Sequence, residues 1–154
     1  MLGGMWRLRL AALAAGIGFL GVALGIRVLA STGGVLDSSG ALAQYSGTAL
    51  YASVIYAGVL LVAPGTKPLV AGAAAIAFCW FVEFLQLTGL PAELSQRSVP
   101  ARLVLGVQFD ATDLAWYAVG VLPLMVLHRA AARRTPASTV DAQAREKPAA
   151  TDAK

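Results

Sequence analysis

Few residues in this chain could do chemistry, and their spacing is informative. Glu83 and Gln86 interrupt the apolar run FCWFVEFLQL, residues 78–87. Three positions apart, they share one face of a helix. A carboxylate at the centre of a bilayer costs about 2.5–3.5 kcal/mol on insertion scales, so it calls for a partner or a nearby aqueous edge. Arg27, Arg97 and Arg102 supply guanidinium groups, and Asp113 supplies a second carboxylate, with Tyr117 and Gly120 following it at i+4 and i+7. Guanidinium with carboxylate is the ion pair that best survives loss of water. Brought together, Arg27, Glu83, Gln86, Arg97, Arg102, Asp113 and Tyr117 would make a polar cluster able to bind an anion, with Glu83 and Asp113 orienting the arginines. The same ion pairs could instead pin a loop to the helices, and Glu83 alone could reach an interface by snorkelling.

The chain lacks the usual catalytic groupings. Ser95 and Ser98 have no histidine nearby in sequence, and His128 and Cys79 are the only residues of their kinds. One cysteine cannot form an internal disulfide, and one Cys with one His cannot build a transition-metal site. The reading is a non-enzymatic protein without cofactor or metal. A proton-coupled carrier or intramembrane enzyme using Glu83 as a titrating group is the alternative. A third reading is a structural interaction module that self-associates through Gly21 and Gly25, whose four-residue step lets helix backbones approach closely. The run Gly16-Ile17-Gly18-Phe19-Leu20-Gly21 spells G-x-G-x-x-G, but that motif works only where a strand feeds a helix, and here it lies within a long apolar segment.

The elements that must position these residues follow from composition. The 154 residues are 58% apolar and 13% charged, the latter about half the ~25% usual for soluble domains. That leaves too little polar material to coat a soluble domain. Apolar blocks about 20 residues long point to an integral membrane protein, an all-α bundle of four transmembrane helices in the lipid bilayer. The spans are read at about Leu8–Leu29, Leu42–Ala63, Leu69–Leu87 and Asp113–Leu127. The first apolar run exceeds the ~7–15 residues of a signal-peptide core and is read as an uncleaved span. Pro64-Gly65-Thr66-Lys67-Pro68 is a tight turn joining the second and third spans. The long connection Gly89–Thr112 contains the run LVLGVQF, too short to cross, which suits a short interfacial or re-entrant helix. Residues 1–129 form the membrane domain; residues 130–154, rich in Ala, Pro, Thr and alternating charge, read as a disordered cytoplasmic tail.

Charge placement gives an orientation. Arg7, Arg9, Lys67, Arg129, Arg133 and Arg134 belong to the side holding both ends of the four spans, and Arg27, Arg97 and Arg102 to the other. The positive-inside bias puts both termini in the cytoplasm, in a cell membrane. Counting from Pro68, Glu83 lies roughly 22 Å along its helix, in the outer part of the membrane. The net charge of +4 does not make this a nucleic-acid binder, because no aromatic-interleaved basic stripe tracks a phosphate backbone.

The order Glu83-x-x-Gln86, Arg97, Arg102-Leu103-Val104-Leu105-Gly106-x-x-Phe109, Asp113-Leu114-x-x-Tyr117-x-x-Gly120 resembles the domain-of-unknown-function 2809 family of small bacterial membrane proteins. That family in turn is similar to the VanZ-like proteins, with their E-x-x-Q, R, D and G order. Gln44–Ala52, with Tyr45, Gly47, Leu50 and Tyr51, resembles the start of the family's second span. There the family tends to carry an aspartate after the glycine, whereas this chain has Thr48, so that position brings no charge. The resemblance implies a four-helix protein of the bacterial cell envelope and inner membrane without an assigned reaction. VanZ-like proteins are associated with tolerance to glycopeptide antibiotics, which hints that the outer face matters. The expected partner of the cluster is an anionic lipid or a lipid-linked cell-wall precursor.

Overall fold

The computed structural model describes residues 2–31, 40–106 and 108–134. It contains six helices: α1 (Leu2–Ser31), α2 (Ala41–Val62), α3 (Pro68–Gln86), α4 (Leu90–Arg97), α5 (Val99–Leu105) and α6 (Asp113–Arg134). Four of them, α1, α2, α3 and α6, are long and apolar enough to cross a membrane. Their outer faces need lipid: Ile17 is 64% exposed and Val126 67%, which water would penalise along the whole bundle. The all-α bundle expected from the sequence is the observed fold.

Local sequence sets the helix boundaries. Lys67 is extended and Pro68 occupies the first turn of α3, where its missing N–H breaks no bond. Gly40, Gly89 and Gly106 all have positive φ. Gly106 closes α5 at φ 67°, a conformation glycine adopts without steric cost. Ser98 starts α5, its hydroxyl accepting from the Ala101 N–H at 3.4 Å. The connection expected to hold one short helix therefore holds two, α4 over the polar part and α5, which ends three residues into the apolar run. The fourth span also runs further than Leu127, because α6 continues through Ala130–Arg134 before the described residues end. The remainder of the expected tail lies outside the described residues.

The bundle is not four equal helices. α2, α3 and α6 pack against one another, while α1 packs on α2. The buried cluster is accordingly Ala52 and Tyr56 of α2, Ala71, Ala75 and Cys79 of α3, and Tyr117 and Val121 of α6. Lipid gives helices no hydrophobic drive to associate, so close packing of small side chains carries the contact. Ala71, Ala75 and Cys79 recur every four residues and are fully buried, forming one small ridge on α3. Gly120 meets α2 so closely that a Cβ there would overlap the Ala49 carbonyl oxygen. Ser53 reinforces this crossing, its hydroxyl donating to the Gly120 carbonyl at 3.1 Å.

Candidate functional site

The α3 ridge explains the carboxylate. Glu83 is the next step in the 71, 75, 79 series, so it points into the bundle and is only 1% exposed. Its Oε1 accepts the main-chain N–H of Asp110 at 2.6 Å, and its Oε2 accepts the Tyr117 hydroxyl at 2.6 Å. Each oxygen thus has one hydrogen-bond partner. Asp113 opens α6 one turn before Tyr117, and its Oδ1 accepts the Thr48 hydroxyl at 3.0 Å. Neutral donors thus hold both carboxylates. The guanidinium pairing expected of Glu83 is not the one it makes, and among the described residues no arginine comes within ion-pair distance of either carboxylate.

Gln86 does a different job. Its Nε2 donates to the Leu105 carbonyl at 2.7 Å. The Tyr51 hydroxyl donates to the Val104 carbonyl and the Ser95 hydroxyl to the Gly106 carbonyl, each at 2.8 Å. The last carbonyls of a helix have no partner within it. Side chains from α2, α3 and α4 take up those at the end of α5, which fixes α5 over the end of the bundle. Gln86 Oε1 is buried and accepts no hydrogen bond.

Asp110 anchors the turn into α6. Its Oδ1 accepts the Thr112 N–H at 2.9 Å and its Oδ2 the Gln44 carboxamide at 2.8 Å. The Thr112 N–H first, then the Thr112 hydroxyl and Gln44, hold its carboxyl below the usual carboxylate value.

These elements enclose a cavity of about 430 Å³. Arg27 of α1, Thr48 of α2, Glu83 and Gln86 of α3, Arg102 of α5, and Asp113 and Tyr117 of α6 all line it. The two arginines are exposed at the rim. Apolar lining comes from Val82, Val99, Leu103 and Val104. Six of the seven expected cluster residues therefore meet at one cavity. The seventh, Arg97, is exposed in the last turn of α4 and is not part of the lining.

Three contributors lie outside the cluster that the sequence pattern predicts. The Asp110 N–H is a main-chain donor, invisible in a side-chain pattern, although Asp110-x-Thr112-Asp113 spells a turn entering a helix. Gln44 and Thr48 stand four apart at the start of α2, and that spacing was the available signal. Thr48 brings no charge, yet it supplies the hydroxyl that Asp113 needs.

The opposite end of the bundle carries His128, whose Nδ1 hydrogen-bonds the Tyr56 hydroxyl at 2.8 Å. Among the described residues, Gly21 and Gly25 have no atom within 4 Å of a would-be Cβ, so neither makes a close helix contact there. Among the described residues no group of three His, Cys, Asp or Glu could hold a metal ion.

Fold and site together define a small helical protein with four membrane-length helices and a polar cavity at one end of the bundle. The chain belongs to the family described as protein of unknown function (DUF2809), whose model matches residues 38–121. That stretch spans α2 to the middle of α6 and includes every lining residue except Arg27. Neither a curated protein nor a solved structure matches the chain.

Proposed function

We propose that the cavity between α1, α2, α3, α5 and α6 binds the phosphate of a lipid headgroup, carried by a membrane lipid or a lipid-linked cell-wall precursor. The observation that supports this most is the separation of charge within one cavity. Arg27 and Arg102 stand at the rim without a carboxylate partner among the described residues, while both carboxylates are held in place by neutral donors. Two guanidinium groups facing one opening suit phosphate, which they can grip through paired N–H bonds. The apolar residues Val99, Leu103 and Val104 beside them suit the first part of an acyl or prenyl chain.

In this reading Glu83 anchors the Asp110 turn and Tyr117. Arg97 adds positive charge at the same end without touching the ligand. The positive-inside bias supports a cavity in the outer leaflet with both termini cytoplasmic. This is a binding role in the cell envelope, with no reaction assigned.

The test is native mass spectrometry of the full chain released from membranes, scoring retained phospholipid. Arg27→Ala/Arg102→Ala together should lower retention about tenfold, the equivalent of ~1.4 kcal/mol. Arg9→Ala, at the other end of α1, should leave retention unchanged. Equal retention by wild type and the double variant would overturn the reading.

A further inference from the structure

The cavity carries more information than an anion site requires. Below the two rim arginines lie the carboxylates of Glu83 and Asp113, and both residues line the same cavity. A site built for an anion alone would gain nothing from two negative groups beneath it; like charge disfavours such a ligand. Both are fixed by donors, so neither swings up to neutralise an arginine. Thr48 engages only Oδ1 of Asp113, and Asp113 is only partly buried. Each Glu83 oxygen takes one bond, although a carboxylate has room for about four. Gln86, in the same lining, keeps an acceptor oxygen that no group reaches. The cavity is thus cationic at its mouth and rich in anionic and neutral acceptors beneath.

We infer that the ligand is dipolar, a phosphate carrying a primary ammonium as in a phosphoethanolamine headgroup, with phosphate at Arg27 and Arg102 and ammonium toward Asp113 and Glu83. An ammonium offers three donors and one positive charge, and the partly buried Asp113, with one oxygen unengaged, offers it an acceptor of opposite sign, with the Glu83 charge behind it. A headgroup of glycerol hydroxyls supplies donors without charge and leaves the carboxylates uncompensated. Phosphate alone leaves the lower part of the cavity unmatched. This inference rests on the phosphate-binding reading above and adds the sign of the second group.

The experiment compares lipids in nanodiscs holding the full chain. Phosphatidylethanolamine, phosphatidylglycerol and phosphatidic acid of the same acyl composition compete at equal amounts, and co-purifying lipid is counted. The expected result is retention of phosphatidylethanolamine over phosphatidylglycerol on the order of tenfold, ~1.4 kcal/mol. Asp113→Asn keeps the oxygen that accepts from Thr48 but removes the charge, and it should abolish that preference. Arg102→Ala should lower retention of all three lipids alike. Soluble O-phosphoethanolamine is a separate arm: displacement of lipid at millimolar concentration assigns the site to the free headgroup, and no displacement assigns it to the lipid. Either result upholds the dipolar chemistry. Equal retention of phosphatidylethanolamine and phosphatidylglycerol, or a preference unchanged by Asp113→Asn, overturns the inference. Arginine dependence surviving such a result would leave the phosphate reading standing.

Discussion

Tyr117 and Glu83 offer a direct measure of how the bundle holds a buried carboxylate. Tyr117→Phe removes the hydroxyl that donates to Glu83 Oε2 at 2.6 Å, inside a residue pair nearly closed to solvent. Hydrogen bonds to charged groups are worth about 1.5–3 kcal/mol, so the single substitution should destabilise by that amount. Glu83→Gln changes the bond without removing it. The carboxamide oxygen can keep the Asp110 N–H, and the amide nitrogen can then donate to the Tyr117 oxygen, which also accepts. What remains is a neutral pair, worth ~0.5–1.5 kcal/mol. Tyr117→Phe should therefore cost about 1–1.5 kcal/mol less in the Glu83→Gln background than in wild type. Such a coupling lies in the upper part of the range for membrane bundles, whose cycles average ~0.6 and reach ~1.7 kcal/mol. The assay is reversible unfolding in mixed micelles, followed by far-ultraviolet circular dichroism for all four corners of the cycle. Additivity within ~0.3–0.5 kcal/mol would mean that the hydroxyl–carboxylate bond does not couple the two residues. The account of Glu83 as a carboxylate held by Tyr117 would then fail.

Three other expectations follow from the same geometry. Gly120→Ala should destabilise by ~1–3 kcal/mol, because its Cβ meets the Ala49 carbonyl and α2 and α6 must separate. Gly25→Ala, with open space around it, should stabilise the monomer by ~0.4–1 kcal/mol through helix propensity and chain entropy; thermal melts of the two variants read both. Asp110, outside the spans, is a pH-sensitive group. Its folded value is lowered, so its contribution is present above the unfolded carboxylate value near 3.8 and is lost as pH falls through the lower folded one. Unfolding midpoints measured below that value should flatten with pH in Asp110→Asn relative to wild type; identical acid slopes would refute the role of its three hydrogen bonds.

The sequence by itself determined the class of protein. Long apolar blocks without enough polar residues to coat them admit only membrane helices, because lipid satisfies no broken backbone. The turn at Pro64–Pro68, the lone carboxylate in α3 and the side of the bundle on which the arginines collect were all legible from local composition. The i, i+3 spacing of Glu83 and Gln86 correctly put both on one face. Tertiary structure decided what those groups touch. Sequence spacing gives a face and an end, but a hydrogen bond requires position to within a few tenths of an ångström, and that depends on how α2, α3 and α6 cross. The crossing brought neutral donors to Glu83: the Tyr117 hydroxyl, and a main-chain N–H that no residue pattern encodes. It set Thr48 against Asp113, and it left Arg27 and Arg102 at the rim while Arg97 turned outward. The helical content of the long connection also depended on tertiary contact, because the carbonyls ending α5 are satisfied by Tyr51, Gln86 and Ser95, residues up to 53 positions away.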